Sequence, residues 1–200
     1  MKYSKIILLL TLPLFVELIS SCCSCPEPIH AKYSNCGITL ENLDNSGENT
    51  IIAMSDSIPK NDYGIMVALN LSLDICKTTP HSSFFISTAV ACSCPNDSYT
   101  PRQGISAINI YTVNDFDTIH NANSDITDYF SVVYGDSFIS IDTYLNYYDG
   151  ELYGYDDYQR LFDILLTSSP TIGSKHRFKV ILTLADGKEI IEETTEVILF

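Results

Sequence analysis

The chain has 200 residues and seven cysteines, with 11 Lys+Arg against 25 Asp+Glu, a net charge of −14. That balance excludes a nucleic-acid surface, because phosphate binding needs clustered Lys and Arg, and the 46% apolar content excludes wholesale disorder. The length allows one domain with a tail, and 13 Tyr and 9 Phe without Trp point to a β-rich chain with wet aromatic surfaces.

The first residues read as an export signal. Lys2 and Lys5 precede Ile6 to Val16, an apolar run broken only by Thr11 and Pro13. A bilayer-spanning helix needs ~20 apolar residues, so this run is a signal-peptide core. It ends in Leu18-Ile19-Ser20-Ser21-Cys22, which resembles a bacterial lipobox. The reading is a signal peptide over 1–21 and a lipid on Cys22; the alternative is a secretory peptide cut without lipidation. Cleavage removes Lys2, Lys5 and Glu17 and leaves the chain slightly more acidic. Anionic head groups repel such a chain, so lipid must hold it at the membrane. Residues 22–36, with Pro26 and Pro28, read as a stiff lipidated tether, and 37–200 as a single domain.

Six cysteines remain: Cys23, Cys25, Cys36, Cys76, Cys92 and Cys94. An exported compartment is oxidising, and sequence does not choose among the pairings. The preferred reading is structural disulfides tying the tether to the Cys92–Cys94 loop. A redox site at Cys92-Ser93-Cys94 and a four-thiolate zinc site with Cys23 and Cys25 are the rivals.

Gly37 to Leu43 alternates as a first strand, with Ile38 and Leu40 in phase. Asp44 to Asn49 is a polar turn. In Tyr63 to Cys76, Ile65, Val67, Leu69, Leu71, Leu73 and Ile75 share one parity, which predicts one buried face. Ser83 to Cys92 is apolar without a clear period. Ile105 to Val113 alternates again, with Ile108 and Ile110 in phase. Ser124-Asp125 offers an N-cap for a short helical turn through Phe130, and Ser140 for Ile141 to Asn146. Tyr158 to Leu166 fits either a helix or a buried strand. His176 to Leu184 alternates, Asp186-Gly187 signals a hairpin, and Glu189 to Phe200 returns. No repeat of roughly 20–50 residues is present. The expected fold is all-β: a two-sheet antiparallel sandwich, immunoglobulin-like in architecture, with one or two short helices in long loops.

Several segments in order resemble an uncharacterised family of roughly 200-residue lipoproteins of Bacteroides-type cell envelopes. They are 22–28 (Cys-Cys-Ser-Cys-Pro-Glu-Pro), 62–65 (Asp-Tyr-Gly-Ile), 91–95 (Ala-Cys-Ser-Cys-Pro), 115–117 (Asp-Phe-Asp), 124–130 and 165–170, before the Asp186-Gly187 hairpin. The resemblance implies an outer-membrane anchor, on the periplasmic or the surface face, and a β-rich fold. It implies no activity.

Three constellations could carry chemistry. Ser131 to Phe138 contains Gly135-Asp136-Ser137 and resembles the nucleophile block of the Gly-Asp-Ser lipolytic hydrolases. Its one downstream histidine is His176, and Gly173 stands where that family places an acid, so a β-turn is the preferred reading. Asp115, Asp117, Asp125 and Asp128 are hard-oxygen candidates for calcium; His120 occupies the glycine slot of an EF-hand, so capping and solvated loop are preferred. Tyr144, Tyr147, Tyr148, Tyr153, Tyr155 and Tyr158 sit among Asn146, Asp149, Glu151, Asp156 and Asp157. They read as ordinary edge tyrosines, as a protein-binding surface or as a glycan-binding one. The expected protein is a non-catalytic, lipid-anchored binding module with no cofactor; an exported hydrolase or a glycan-binding protein is the alternative.

Overall fold

A computed structural model describes residues 27–74, 76, 95–135, 137–171 and 174–200. The expected signal peptide over 1–21, Cys22, Cys23, Cys25, Cys92, Cys94 and the apolar run 83–92 lie outside the described residues. The strands are β1 (His30–Asp44), β2 (Ile51–Ile52), β3 (Ser57–Ile58), β4 (Tyr63–Ser72), β5 (Ser98–Pro101), β6 (Ile105–Thr112), β7 (Phe130–Tyr134) and β8 (Ser137–Ile139). After helix α1 (Ile141–Tyr147) come β9 (Tyr158–Leu166), β10 (Ser174–His176), β11 (Phe178–Leu184), β12 (Glu189–Glu193) and β13 (Val197–Leu199). A 3-10 turn (Thr127–Tyr129) precedes β7.

The larger layer has the order β2-β1-β4-β9-β7-β8, with β5 also on β1. The second layer is one long hairpin whose two arms are each interrupted. β11 pairs β12 and β6, while β10 pairs β13, which takes β3. Thr194 and Phe178 stitch the interruption: Thr194 N–H donates to Phe178 O at 2.9 Å, and Phe178 N–H donates to Thr194 Oγ1 at 3.1 Å. The layers are antiparallel within, do not close into a barrel and pack as a sandwich. Among the described residues, parallel pairing occurs only where β5 joins β1 and β3 joins β13.

Alternation places the core. Ile65, Val67, Leu69 and Leu71 of β4 face Ile108 and Ile110 of β6 and Phe178, Val180 and Leu182 of β11, all buried in one cluster. Met66 and Ala68, of opposite parity, are buried too, in a small cluster with Leu43. β4 is therefore covered on both faces, as its central position demands. The in-phase run stops early. β4 ends at Ser72, Leu73 is exposed, and Ile75 is not among the described residues.

β1 begins at His30, inside the segment that the sequence assigns to a tether. Residues 30–33 are recruited by parallel pairing with β5, a long-range contact with no local signature. Cys36 is the extra residue where the β1–β4 register shifts between Asn35 and Gly37. The bulge lets it meet Cys76, with Cα atoms 5.2 Å apart, in a disulfide. Tyr158 to Leu166 resolves as strand β9, because β4 and β7 supply ladder partners on both sides.

Candidate functional site

Ser140 starts α1, its Oγ accepting from Thr143 N–H at 3.1 Å. The helix touches β6 of one layer and β7 of the other, so it closes one side of the sandwich. Helical spacing then separates its tyrosines. Tyr144 turns inward: Oη donates to Leu161 O at 2.9 Å, and its ring lies 4.8 Å from Phe162. Tyr147 turns outward and is 68% exposed. Its ring lies nearly parallel to Tyr134 of β7, centroids 6.0 Å apart at 14°.

Tyr134 is itself 53% exposed. Next to it, Val133 pairs across the β7–β8 hairpin with Phe138, which is 62% exposed. Val133 and Phe138 point to the face opposite Tyr134, since strand neighbours alternate. The hairpin thus carries exposed apolar side chains on both faces, where alternation would put polar ones on the solvent side. A cleft of about 130 Å³ opens between the 3-10 turn, β8 and the start of α1, lined by Asp128, Phe130, Phe138, Ile141 and Asp142 among others.

The six tyrosines singled out in the sequence do not form one surface. Tyr148 is half-buried, and burial, with the neighbouring Tyr33 and Asp149, pushes its phenol up. Tyr33 Oη donates to Gly150 O at 2.6 Å. Gly150 sits at φ +75, where an added Cβ would approach Pro101 Cγ to 2.9 Å. Tyr155 packs on Tyr99 at 5.4 Å, and burial also raises its pKa. These side chains bind the chain together. Tyr147, Tyr153 and Tyr158 are exposed, and of these Tyr147 stacks on Tyr134. Tyr134 and Phe138 are absent from the sequence-derived candidates. Their signal was present, as an apolar run without alternation on both sides of Gly135-Asp136.

That same segment carried the hydrolase reading. Gly135 has φ +59 and Ser137 is the first residue of β8, so the block is a hairpin turn. His176 is buried, 5.9 Å from Phe116 and stacked along Phe178.

Three of the four calcium candidates, Asp115, Asp117 and Asp125, are spent on the loop itself. Asp115 Oδ1 accepts from Ala122 N–H at 2.8 Å, and Asp125 Oδ1 from Thr127 N–H at 2.9 Å. Asp117 Oδ1 accepts from the N–H groups of Ile119 and His120, and its carboxylate meets the His120 ring at 2.9 Å. Partial burial pushes the Asp117 carboxyl up, but these hydrogen bonds outweigh it and hold the pKa below the usual range. No group of three or more His, Cys, Asp or Glu side chains is gathered among the described residues. Asp115, Asp117 and Asp125 each cap their own loop backbone, while Asp128 lies in the 3-10 turn before β7.

Fold and site together define a two-layer β domain with an exposed aromatic shelf on its hairpin and helix. The chain belongs to the family described as domain of unknown function DUF5034, whose model matches residues 35–196. No curated protein matches the chain, and no solved structure does.

Proposed function

We propose that the protein is a lipid-anchored cell-envelope module of the Bacteroides type. It holds a protein partner on the Tyr134–Tyr147 shelf and catalyses nothing. The observation that carries this reading is the exposed Tyr134–Tyr147 stack. Large apolar side chains left in water on both faces of one hairpin mark a contact surface. Tyrosine gives contact area at low entropy cost. The lipobox at Cys22 supports an anchor in the outer membrane, and the acidic chain leaves that attachment to lipid. His176, the one histidine downstream of Ser137, is packed in the core against Phe116 and Phe178, which supports a non-catalytic role.

The test has two parts. Mass spectrometry of the N-terminal peptide should find diacylglycerol on Cys22; an unmodified, differently cut terminus would remove the anchor. A photo-crosslinker placed at Tyr147 in intact cells should give one discrete protein adduct, lost when Tyr134 is changed to Ser. An adduct indifferent to that change would overturn the shelf. Binding to a glycan array in place of an adduct would reassign the partner to sugar.

A further inference from the structure

The chain enters the fold sooner than its sequence suggests, and that bears on which end of the domain meets the membrane. β1 begins at His30 and not after Cys36. With the lipid proposed above on Cys22, on which this surface depends, the stretch between lipid and domain shrinks from 22–36 to 22–29. Ile29 follows Cys22 by seven residues, at most about 25 Å of extended chain.

The ends of several strands are gathered at the root of that tether. β5 pairs β1 in parallel, His30 beside Ser98, so both strands start here. His30 Nδ1 lies 2.7 Å from Ser98 Oγ. Ile29 is fixed just before them: its N–H donates to Asp97 Oδ1 at 2.7 Å, and its carbonyl accepts from Ser98 N–H at 2.9 Å. Tyr99 of β5 and Leu152 exchange backbone bonds, each at 2.9 Å, in an antiparallel bridge. Tyr153 is the next residue beyond that bridge, toward the start of β5. Leu73 lies just past the end of β4, its carbonyl accepting from Arg102 Nη2 at 3.3 Å.

Ile29 is 54% exposed and Tyr153 71%, and Leu73 is exposed as well. None of the three packs in the core cluster, and none belongs to the Tyr134–Tyr147 shelf. A tyrosine and an isoleucine at the boundary of a bilayer bury apolar surface while the phenol hydroxyl stays wet. The short tether holds them within reach of that boundary. The acidic chain is repelled by anionic head groups, so the contact is apolar and not electrostatic. We propose that this end of the domain rests on the bilayer that holds the anchor, with Tyr153 and Ile29 seated among the lipid head groups and Leu73 at their flank. β1 leads away from it to Asp44, which pairs with Ile51. The exposed Ile51, Ile52 and Met54 therefore stand at the opposite end of the strand.

The chain holds no Trp, so a single introduced Trp reports its own depth. The lipidated full chain is reconstituted in phosphatidylcholine vesicles, with and without brominated phosphatidylcholine as quencher. Emission of Tyr153→Trp should shift to the blue and lose intensity with the brominated lipid. Met54→Trp should do neither. Adding Ile29→Ser to Tyr153→Trp should weaken the quenching without moving the unfolding midpoint, because both side chains are exposed. Phosphatidylglycerol in the vesicles should weaken it too, by charge repulsion. The N-terminal mass of the same sample reports the lipid. A lipidated chain whose Tyr153→Trp emission ignores the brominated lipid would overturn this surface and leave the anchor standing. A chain without lipid on Cys22 would overturn the anchor and this surface with it. Quenching of Met54→Trp as strong as that of Tyr153→Trp, or quenching that rises with phosphatidylglycerol, would overturn the surface alone. None of these readouts involves Tyr134 or Tyr147, so partner binding at the shelf is tested separately.

Discussion

The ring of Tyr63 in β4 lies 5.1 Å from the ring of Phe178 in β11, stacked at 29°. The pair joins the two layers at the centre of the core, and both residues are fully buried. Tyr63 Oη also donates to Asn42 Oδ1 at 2.8 Å, while Asn42 Nδ2 donates to Thr195 Oγ1 at 2.9 Å. One side chain thus ties β4 to β1, and through Asn42 to the segment between β12 and β13.

Phe178→Ala should cost about 3–5 kcal/mol, the range for a buried aromatic truncated to a cavity. Tyr63→Phe keeps the stack and removes one hydrogen bond, so it should cost about 1 kcal/mol. Urea unfolding measures both. Equal losses would mean that the hydroxyl network, and not the stack, joins the layers.

Stability should fall in alkali. Burial raises the Tyr63 phenol well above its usual value, with a hydrogen bond to Thr194 opposing it. Burial likewise raises Tyr144 and Tyr148. These groups keep their protons in the folded state where the unfolded chain has lost them. The stabilisation is full below pH ~10 and declines as pH rises above it. Unfolding midpoints at pH 8 and pH 11 check the sign. Tyr63→Phe should flatten the slope; an unchanged slope would assign the effect to other groups.

Gly64→Ala should destabilise by about 1–3 kcal/mol. An added Cβ would lie 2.6 Å from Leu165 Cδ2 and 2.7 Å from Ile164 O, and the latter is backbone that cannot swing away. Thermal unfolding reads the loss. Gly64→Ser should be no better, because the obstruction is at Cβ.

Cys36→Ser should lower stability by about 2–4 kcal/mol, since the Cys36–Cys76 bond closes a separation of 40 residues. The reduced native protein should match the variant. A variant as stable as the oxidised protein would show that β1–β4 pairing alone holds the loop.

Tyr147→Ser should leave stability within about 0.5 kcal/mol, as for other exposed sites, while removing partner capture. Tyr144→Ser should unfold part of the α1 contact by losing the bond to Leu161 O. A Tyr147 variant that destabilises as much as Tyr144→Ser would make the shelf a packing feature.

Local rules carried much of this fold. The parity of Ile65, Val67, Leu69 and Leu71, the Ser140 cap and the Asp186-Gly187 turn each report a contact a few residues long, which side-chain periodicity and turn chemistry encode directly. The turn at Gly135 was legible in the same way. Where partners are distant, local pattern falls silent. Nothing near His30 announces that β5 will recruit it, and nothing near Cys36 says that a register shift will turn it toward Cys76. Tyr144 and Tyr147 look alike in composition, yet one anchors on Leu161 and the other stacks in water on Tyr134. The sequence by itself determined the acidic charge and the β-sandwich class, because these are sums and short-range patterns. Only the tertiary structure decided which tyrosines face solvent and which aspartates cap their own loops, because burial and pairing are set by segments far apart in the chain.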